Sequence, residues 1–251
     1  MSRPNPQVEV HPDKQTLSDA SGARLLLGLV DAQERHDGPV HLVLTGGSMG
    51  SAILSSLGAM PDSGSVQWDR IHLWWGDERY LPAGDPDRNQ TQNGAALLDS
   101  VPVPAANVHA VAGPDLSSSA EESAAAYARA VQEEAGGGFD IVLLGVGPDG
   151  HVASLFPHHP AQRTEGTAAV AVHDSPKPPP DRVSLTFECL DRTRQVWFLV
   201  SGADKAEAVA QALAPGTDRW DVPASGPRGE ELTIWLLDAD AAGRLGDGGR
   251  F

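Results

Sequence analysis

One short segment combines residue types that move protons with the glycines needed to display them. Asp149, Gly150 and His151 follow an apolar stretch at residues 140–145, and a Gly-x-Gly-Pro run stands between. A neutral imidazole transfers protons well near physiological pH, and a nearby carboxylate can orient it. A glycine turn at a strand end favours a functional histidine over a packed one. We therefore predict acid–base chemistry centred on this segment.

The same segment also matches a dinucleotide-binding pattern, which we reject. Gly145, Gly147 and Gly150 spell G-x-G-x-x-G, and Asp174 stands at the end of the next predicted strand. However, Pro157 would end the following helix after about two turns, which is too short for a good crossover helix. The polar His151 also stands where a helix should pack on the sheet. We expect no nicotinamide cofactor.

A second glycine segment has the features of an anion-binding turn. Gly46, Gly47 and Ser48 come between an apolar stretch at residues 41–45 and a helix predicted over residues 50–57. Glycines allow a close approach to a ligand, and a helix start offers free N–H groups and a positive dipole end. The alternative is a tight structural turn in which Ser48 caps the helix.

Charged residues follow the apolar run Ile71–Trp75 directly. Asp77, Glu78 and Arg79 would be costly at the end of a buried strand unless they function or pair with one another. Because these three residues stand at the end of a predicted strand, we favour a functional role for them. The alternative is a solvated turn.

Further basic or polar residues could supply positive charge and hydrogen bonds for a phosphate. Arg182 opens a predicted strand after the loop at residues 177–180, and Lys205 stands at a helix start after another strand. Arg88 and Asn89 lie in the loop beyond Arg79. Each one alone is more often a surface residue, but together they provide the local positive charge that an acidic chain otherwise lacks.

The elements that position these residues alternate along the chain. Apolar runs predict strands at residues 41–45, 71–75, 140–145, 168–173, 183–187, 196–201 and 232–237. Helical patterns fall at residues 18–35, 50–57, 89–98, 120–134 and 204–214. This alternation predicts an α/β fold, a mostly parallel sheet with helices on both faces, in one domain over residues 1–251. Ligands bind such sheets at the carboxyl ends of the strands.

Composition excludes several classes of function. A formal net charge of −16 argues against a nucleic-acid partner, because phosphates would be repelled. The apolar runs are far shorter than the ~20 residues of a membrane span, and no signal peptide is evident, so we expect a cytoplasmic protein.

Cys189 is the only cysteine, and we interpret it as a packed side chain at a strand end. No histidine spacing typical of a metal site occurs, so we expect no metal. The six tryptophans mostly fall in strands and are predicted to lie in the core.

Several of these segments, taken in order, resemble the 6-phosphogluconolactonase family across roughly residues 15–240. The most specific is GVGPDGHVASLFP at residues 145–157, and RVSLT at residues 182–186 is similar to the family's RITLT. The others are GGS at residues 46–48, DER at residues 77–79 and GADK at residues 202–205. The chain departs from the family at Met49-Gly50, where Thr-Pro is usual, and at Arg88, where Ser is usual.

The resemblance implies hydrolysis of 6-phospho-D-glucono-1,5-lactone in the oxidative pentose phosphate pathway, without a cofactor. It also implies the fold shared with glucosamine-6-phosphate deaminase and ribose-5-phosphate isomerase, and a monomer or homodimer. His151 would be the catalytic base and Asp149 its partner. The predicted substrate-binding and phosphate-binding residues are Gly46, Gly47, Ser48, Asp77, Arg79, Asn89, Gly150, Arg182 and Lys205.

Two alternatives share the same fold. Glucosamine-6-phosphate deaminases also contain Asp-Gly-His but place a catalytic Glu where this chain has Phe156. A non-catalytic sugar-phosphate sensor would usually carry a DNA-binding segment, which this acidic chain does not show.

Overall fold

A computed structural model describes residues 3–246, which form two β-sheets and six α-helices. The nine strands of this part of the chain, β1 to β9, are Gln7–His11, Val40–Leu44, Ile71–Trp75, Asp77–Arg79, Phe139–Gly145, Ala169–Val172, Arg182–Leu185, Thr193–Val200 and Leu232–Asp238. The helices α1 to α6 are Lys14–Arg35, Gly47–Gly58, Asn89–Ala96, Ala120–Glu134, Phe187–Leu190 and Ala206–Leu213.

The larger sheet has six parallel strands in the order β1-β9-β8-β5-β2-β3. Its central strands are apolar at nearly every position because both faces of the sheet are covered. Successive residues of β2 illustrate this: Leu42 and Leu44 pack into one core, and Val43 packs into the other. The predicted parallel sheet with helices on both faces is confirmed.

Helices α1 and α2 cover one face of this sheet, and α4 and α6 cover the other. In α1 the buried positions Leu17, Leu25 and Leu29 lie on one side of the helix, and each stabilises the fold by about 1.5–3 kcal/mol. Asp13 caps α1 by accepting a hydrogen bond from the N–H of Thr16, at 2.7 Å. Within residues 3–246, no helix is long and apolar enough to cross a bilayer.

The smaller sheet is antiparallel, with strand order β4-β7-β6. Strands were predicted at residues 168–173 and 183–187 without a pairing, and they form an antiparallel hairpin outside the parallel sheet. A parallel connection needs a crossover of a dozen or more residues, and only residues 173–181 join these two strands. The hairpin lies over the α4 side of the large sheet and brings its connecting loop to the carboxyl ends of the parallel strands.

Other local predictions also need correction. Helix α2 begins at Gly47 rather than at Gly50, with Gly46 and not Ser48 as its N-cap. The chain forms turns, and no helix, over residues 151–157, where Pro157 leaves too few residues for one. Cys189 is packed as predicted but lies in the single-turn helix α5. Strands β1 and β4 were missed, because one is a half-exposed edge strand and the other is short and charged.

The tryptophan prediction holds for the strand residues Trp74, Trp75, Trp197 and Trp235, which are all buried. It does not extend to Trp220, which is only partly buried and lies against the guanidinium of Arg163 at 3.9 Å. This residue belongs to a loop, so no strand carries it into the core.

Three histidines cluster at the amino ends of β2 and β3, away from the glycine turns. His41 Nδ1 accepts a hydrogen bond from Trp74 Nε1 at 3.1 Å, and the facing nitrogens of His72 and His109 lie 3.0 Å apart. Burial lowers the pKa of all three imidazoles, that of His41 to about 4, because desolvation disfavours the charged form. The cluster is therefore held in its neutral form.

Few anionic groups surround these rings. The backbone N–H of His41 donates to the Asp140 carboxylate at 2.9 Å, and His36 lies 3.7 Å from the same side chain. Asp140 opposes the lowering of the His41 pKa, and Glu134 does the same for His72 and His109. In each case desolvation remains the larger effect.

This cluster predicts acid lability. The folded pKa of His41 is about 4 and its ordinary value is 6.5, so the unfolded chain binds more protons between those values. At pH values above about 6.5 the free energy of unfolding therefore has its full value, and it falls as the pH drops towards 4. His41→Asn keeps an acceptor near Nδ1 but cannot titrate, so its Tm should fall less than that of wild type between about pH 7 and 5.

The matched control is His158→Asn, which replaces a histidine whose side chain is 62% exposed. This variant should show the wild-type pH dependence of Tm. If His41→Asn also lost as much Tm as the wild type, His41 would not be the source of acid lability.

Candidate active site

The site forms where the connections of the parallel sheet change direction. From β2 the chain continues to β3 on one side, and from β5 it continues to β8 on the other. Such a switch point leaves a crevice outside the carboxyl ends of the two strands. The backbone N–H of Gly145, at the end of β5, donates to Thr45 Oγ1 at 3.3 Å and ties the two strand ends together. The two glycine segments directly follow β2 and β5, the strands on either side of this switch point.

A tight turn after β5 carries Asp149 and His151, the predicted proton-transfer residues. The N–H of Gly150 donates to the carbonyl of Gly147 at 2.9 Å, and the N–H of Gly147 donates to the carbonyl of His151 at 3.0 Å. Gly150 has φ 82°, a left-handed conformation that favours glycine. At Gly147, a Cβ would stand 2.0 Å from the His151 ring and 2.5 Å from Asp149. The pair can therefore fold back over this position only because it is glycine.

Asp149 and His151 are hydrogen-bonded, with Oδ1 and Nδ1 2.5 Å apart. Burial opposes ionisation of Asp149, but the hydrogen bond and charge of His151, aided by Lys177, hold its pKa at about 2. The carboxylate is thus ionised near neutral pH, and the shared proton resides on Nδ1. This leaves the Nε2 lone pair free to accept a proton. The Phe156 ring packs against the imidazole, with centroids 4.6 Å apart.

A buried carboxylate lies beneath the turn and connects three elements. Asp77 Oδ2 accepts a hydrogen bond from Ser154 Oγ at 2.5 Å and lies 3.7 Å from Arg182 Nη1. Asn89 Nδ2 donates to the Asp77 carbonyl at 2.7 Å. Asp77, Asn89 and Arg182 were predicted as substrate-binding residues, and the structure brings them together. Their contacts here are mainly with each other, so a direct role in substrate binding stays a prediction.

Glu78 organises the start of α3. Its carboxylate accepts the backbone N–H groups of Asn89 at 2.7 Å and Gln90 at 2.8 Å, which the helix cannot satisfy itself. Burial raises the pKa of Glu78, and these hydrogen bonds together with the Arg88 charge oppose that shift. Arg88 is itself buried, 3.9 Å from the carboxylate, and donates to the carbonyls of Leu81 and Val111. Glu78 and Arg88 therefore fix the loop rather than line the crevice.

The first glycine segment begins helix α2 at the mouth of the crevice. Gly47 and Ser48 are exposed, and Gly46 has no side chain with which to cap the first N–H groups. At Gly46 a Cβ would stand 1.8 Å from Asn89 Oδ1, so only glycine fits beside that amide. Asn89 Oδ1 is buried and has no hydrogen-bond partner among the described residues. The free N–H groups of a helix start can bind an anion, so an anion site at this helix start stays a prediction.

Two predicted basic residues flank the crevice on the small sheet. Arg79 and Arg182 face each other across β4 and β7, and Arg79 Nη1 donates to the Asp87 carbonyl. Arg79 Nε is buried without a hydrogen-bond partner in the described part of the chain. The Arg182 guanidinium donates to the carbonyls of the 177–180 loop. These contacts give Arg182 a role in holding the loop, beside the predicted one in phosphate binding.

Lys205 lies on the other side of β5, at the end of β8. Asp238 accepts hydrogen bonds from Ser201 Oγ and the N–H of Gly202, which shapes the turn that precedes Lys205. The Lys205 ammonium contacts both carboxylate oxygens of Asp204 at 2.9 Å. Because Asp204 is exposed, a bound anion could replace it without desolvating a buried charge.

Sequence reasoning missed Lys177 as a site residue. Its Nζ lies 3.4 Å from His151 Nδ1 and 3.8 Å from Asp149 Oδ1. One signal was available: the chain contains only three lysines, and Lys177 stands in a proline-rich loop just before Arg182. Nothing in the spacing alone indicates that this loop folds back over the turn after β5.

The described part of the chain gives little support for metal-dependent or thiol-based catalysis. Residues 3–246 contain no group of three histidine, cysteine or acidic side chains arranged to hold a metal ion. Cys189 is buried, and desolvation raises the pKa of its thiol to about 12, so it is a poor nucleophile.

A family model described as glucosamine-6-phosphate isomerases/6-phosphogluconolactonase matches residues 12–235. The chain belongs to this family. It is 48% identical to a 6-phosphogluconolactonase of Streptomyces coelicolor, covering 96% of this chain and 95% of that protein. Identity is 44% to a 6-phosphogluconolactonase of Mycobacterium tuberculosis, over 95% of this chain and 98% of the relative.

Solved structures of the glucosamine-6-phosphate isomerase/6-phosphogluconolactonase family have the same fold. The 6-phosphogluconolactonase of Trypanosoma brucei superposes with a TM-score of 0.82 at 27% identity, over 96% of this chain and 99% of that one. The 6-phosphogluconolactonase of Thermotoga maritima superposes with a TM-score of 0.81 at 28% identity, over 93% of this chain and 100% of that one. A monomeric glucosamine-6-phosphate deaminase, at 20% identity and a TM-score of 0.78, shares the fold over 94% of this chain and 99% of that one.

The departures from the family pattern have local explanations. A Cβ at Gly50 would lie 2.1 Å from the Thr45 carbonyl oxygen, so this glycine allows α2 to start close against the end of β2. Met49 points into the core shared by α1 and α2. Arg88 is buried and holds the loop before Asn89. None of these three residues contacts the Asp149–His151 pair through a hydrogen bond or ion pair of the described residues.

Proposed function

We propose that this chain hydrolyses 6-phospho-D-glucono-1,5-lactone to 6-phospho-D-gluconate in the oxidative pentose phosphate pathway. The observation that carries the proposal is the Asp149–His151 pair, displayed on a glycine turn at the switch point of a 6-phosphogluconolactonase-family fold. Lactone hydrolysis needs a base that takes a proton from water and an acid that gives a proton to the departing ring oxygen. One oriented imidazole can serve as both in turn.

The proposed reaction starts with water activation by His151. Nε2 takes a proton from water as the oxygen attacks the lactone carbonyl carbon, and the Asp149 carboxylate stabilises the resulting imidazolium through Nδ1–H. The tetrahedral intermediate then collapses, the bond from the carbonyl carbon to the ring oxygen breaks, and the imidazolium protonates that oxygen. Water and lactone thus give the acid, and His151 returns to its neutral form.

The oxyanion of the intermediate requires N–H donors. Backbone N–H groups at Gly46 and Gly47, at the start of α2, are the proposed source. Gly150 was predicted to bind substrate, but its N–H donates to the Gly147 carbonyl within the turn. We therefore assign Gly150 the role of shaping the turn through its left-handed backbone.

The phosphate is proposed to bind between the two sides of the crevice. The first turn of α2, with Ser48, offers N–H groups and a positive dipole end, and Lys205 and Arg79 add charge. Strands β2 and β8 flank β5, so their ends lie about 10 Å apart, a distance that suits a sugar phosphate. Local N–H groups and cations are needed to bind the phosphate because the chain as a whole is acidic.

The deaminase alternative is disfavoured by the residue beside the imidazole. Moving protons between neighbouring carbons of an amino sugar needs more than one positioned acid–base group. Where that family places its Glu, this chain has Phe156, which is fully buried against His151. The site therefore has no carboxylate at this position.

We further propose that residues 1–251 act as one catalytic unit in the cytoplasm, as a monomer or homodimer. Charge is costly inside a bilayer, so a sugar phosphate is processed in the compartment that makes it.

Replacing the base tests the mechanism directly. His151→Ala should lower the enzymatic rate by ~10²–10⁴-fold, because water then attacks without general-base help. The rate is measured by acid release after subtraction of spontaneous lactone hydrolysis, and folding is checked by circular dichroism. A folded variant with the wild-type rate would exclude His151 as the base.

Replacing cations around the crevice tests phosphate recognition. Lys205→Ala and Arg79→Ala should each raise KM for the 6-phospholactone by about 10-fold or more, since each would remove a charged hydrogen bond to the anion. For unphosphorylated gluconolactone the change should be small. Arg182→Ala should affect both substrates if it holds the loop, and mainly the phosphorylated one if it binds the anion.

Lys14→Ala is the matched control, because Lys14 starts α1 just after β1, the edge strand that lies three places from β5 in the sheet. It should leave both substrates unaffected. Equal losses on the two lactones in the Lys205 and Arg79 variants would show that these residues do not recognise phosphate.

A further inference from the structure

The loop between β6 and β7 is anchored by a buried cation. Arg182, 5% exposed, donates from Nη2 to the carbonyls of Lys177 and Pro178 at 3.0 and 3.1 Å, and from Nε to that of Pro179 at 3.2 Å. Ser175 Oγ also donates to the Lys177 carbonyl at 2.9 Å. These bonds fix the backbone from which the Lys177 side chain extends.

The ammonium of Lys177 lies close to Asp149 and His151 but makes no productive hydrogen bond to either residue. Its distance to His151 Nδ1, 3.4 Å, is not a productive hydrogen bond, because that nitrogen already donates its proton to Asp149. Its distance to Asp149 Oδ1 is 3.8 Å, which is an ion pair rather than a hydrogen bond. Lys177 therefore acts on the pair mainly as a positive charge.

That charge matters when the imidazole is protonated. The imidazolium forms between a carboxylate that favours it and an ammonium that disfavours it. With the carboxylate alone, the proton would be held more tightly, and fewer molecules would have a free base at neutral pH. A weaker hold also helps the proton move on to the departing ring oxygen.

We propose that Lys177 is a positioning residue of the reaction, which keeps His151 available as a base near neutral pH by balancing the charge of Asp149. This inference rests on the proposed lactone hydrolysis. It gives a reason why one of only three lysines in the chain lies beside the Asp149–His151 pair.

Other charged groups near the pair are few. Asp204 is close enough to Lys177 for that charge to help lower its pKa, although its hydrogen bond from Lys205 has the larger effect. The Arg182 guanidinium lies 5.8 Å from the Phe156 ring, which separates it from the imidazole. Neither group contacts His151 directly, so Asp149 and Lys177 dominate.

The test is the pH dependence of kcat/KM on the 6-phospholactone, measured with the full-length protein between about pH 5 and 8. In Lys177→Met the midpoint of the acid limb should move up by about one pH unit, because a neighbouring positive charge is lost. Lys177→Arg keeps the charge and should keep the wild-type midpoint. Lys14→Met, with the same chemical change outside the site, should match the wild type.

Two results would overturn the proposal. One is a Lys177→Met variant whose rate falls equally at every pH with an unmoved midpoint, which would assign the lysine to binding or folding alone. The other is the same shift in Lys177→Arg, which would rule out charge as the cause. Lys177→Gln serves as a second neutral variant if the Met variant is poorly folded.

His151→Ala, assayed in parallel, separates this inference from the proposed function. If the wild type hydrolyses the lactone and His151→Ala does not, a wild-type profile in Lys177→Met refutes only the role of Lys177. If the wild type itself has no activity on the lactone, the proposed function fails.

Discussion

The hydrogen bond between Asp149 and His151 is the interaction on which the rest of the site depends. It fixes which imidazole nitrogen carries the proton and therefore which one is left free for the proposed role as a base. The bond exists because Gly147 leaves room for the folded-back ring and Gly150 accepts a left-handed backbone. The sheet then sets the position of the turn, since β5 ends at the switch point beside β2. Phe156 on the inner side holds the ring against the core.

A second constraint is electrostatic. A chain with a net charge of −16 must bind an anionic substrate with a small number of local donors. Three of the cations proposed to surround the site have a carboxylate partner: Lys205 with Asp204, Lys177 with Asp149, and Arg182 with Asp77. Partners of this kind keep the cations positioned, and exposed ones such as Asp204 can be displaced by phosphate at little cost. The site is thus ordered before substrate arrives, which lowers the entropy cost of binding.

The parts of this molecule that the sequence predicted are those set by local chemistry. Buried parallel strands appear as continuous apolar runs, and the glycine turns follow them directly, so the edge of the sheet that carries the site was predictable. Pairings distant in the sequence were not. The hairpin of β6 and β7 could not be told from two parallel strands, and only its fold-back places Lys177 beside His151. Glu78 and Arg88 were similarly ambiguous, because burial and backbone partners decide that they hold a loop.

The proposed site hydrolyses a phosphorylated lactone and does not deaminate an amino sugar. Purified protein is incubated separately with 6-phospho-D-glucono-1,5-lactone and with glucosamine-6-phosphate, and acid release and ammonia release are measured side by side. We expect acid release well above the spontaneous rate and no ammonia above the blank. Ammonia at an enzymatic rate, with lactone hydrolysis no faster than in buffer, would contradict it.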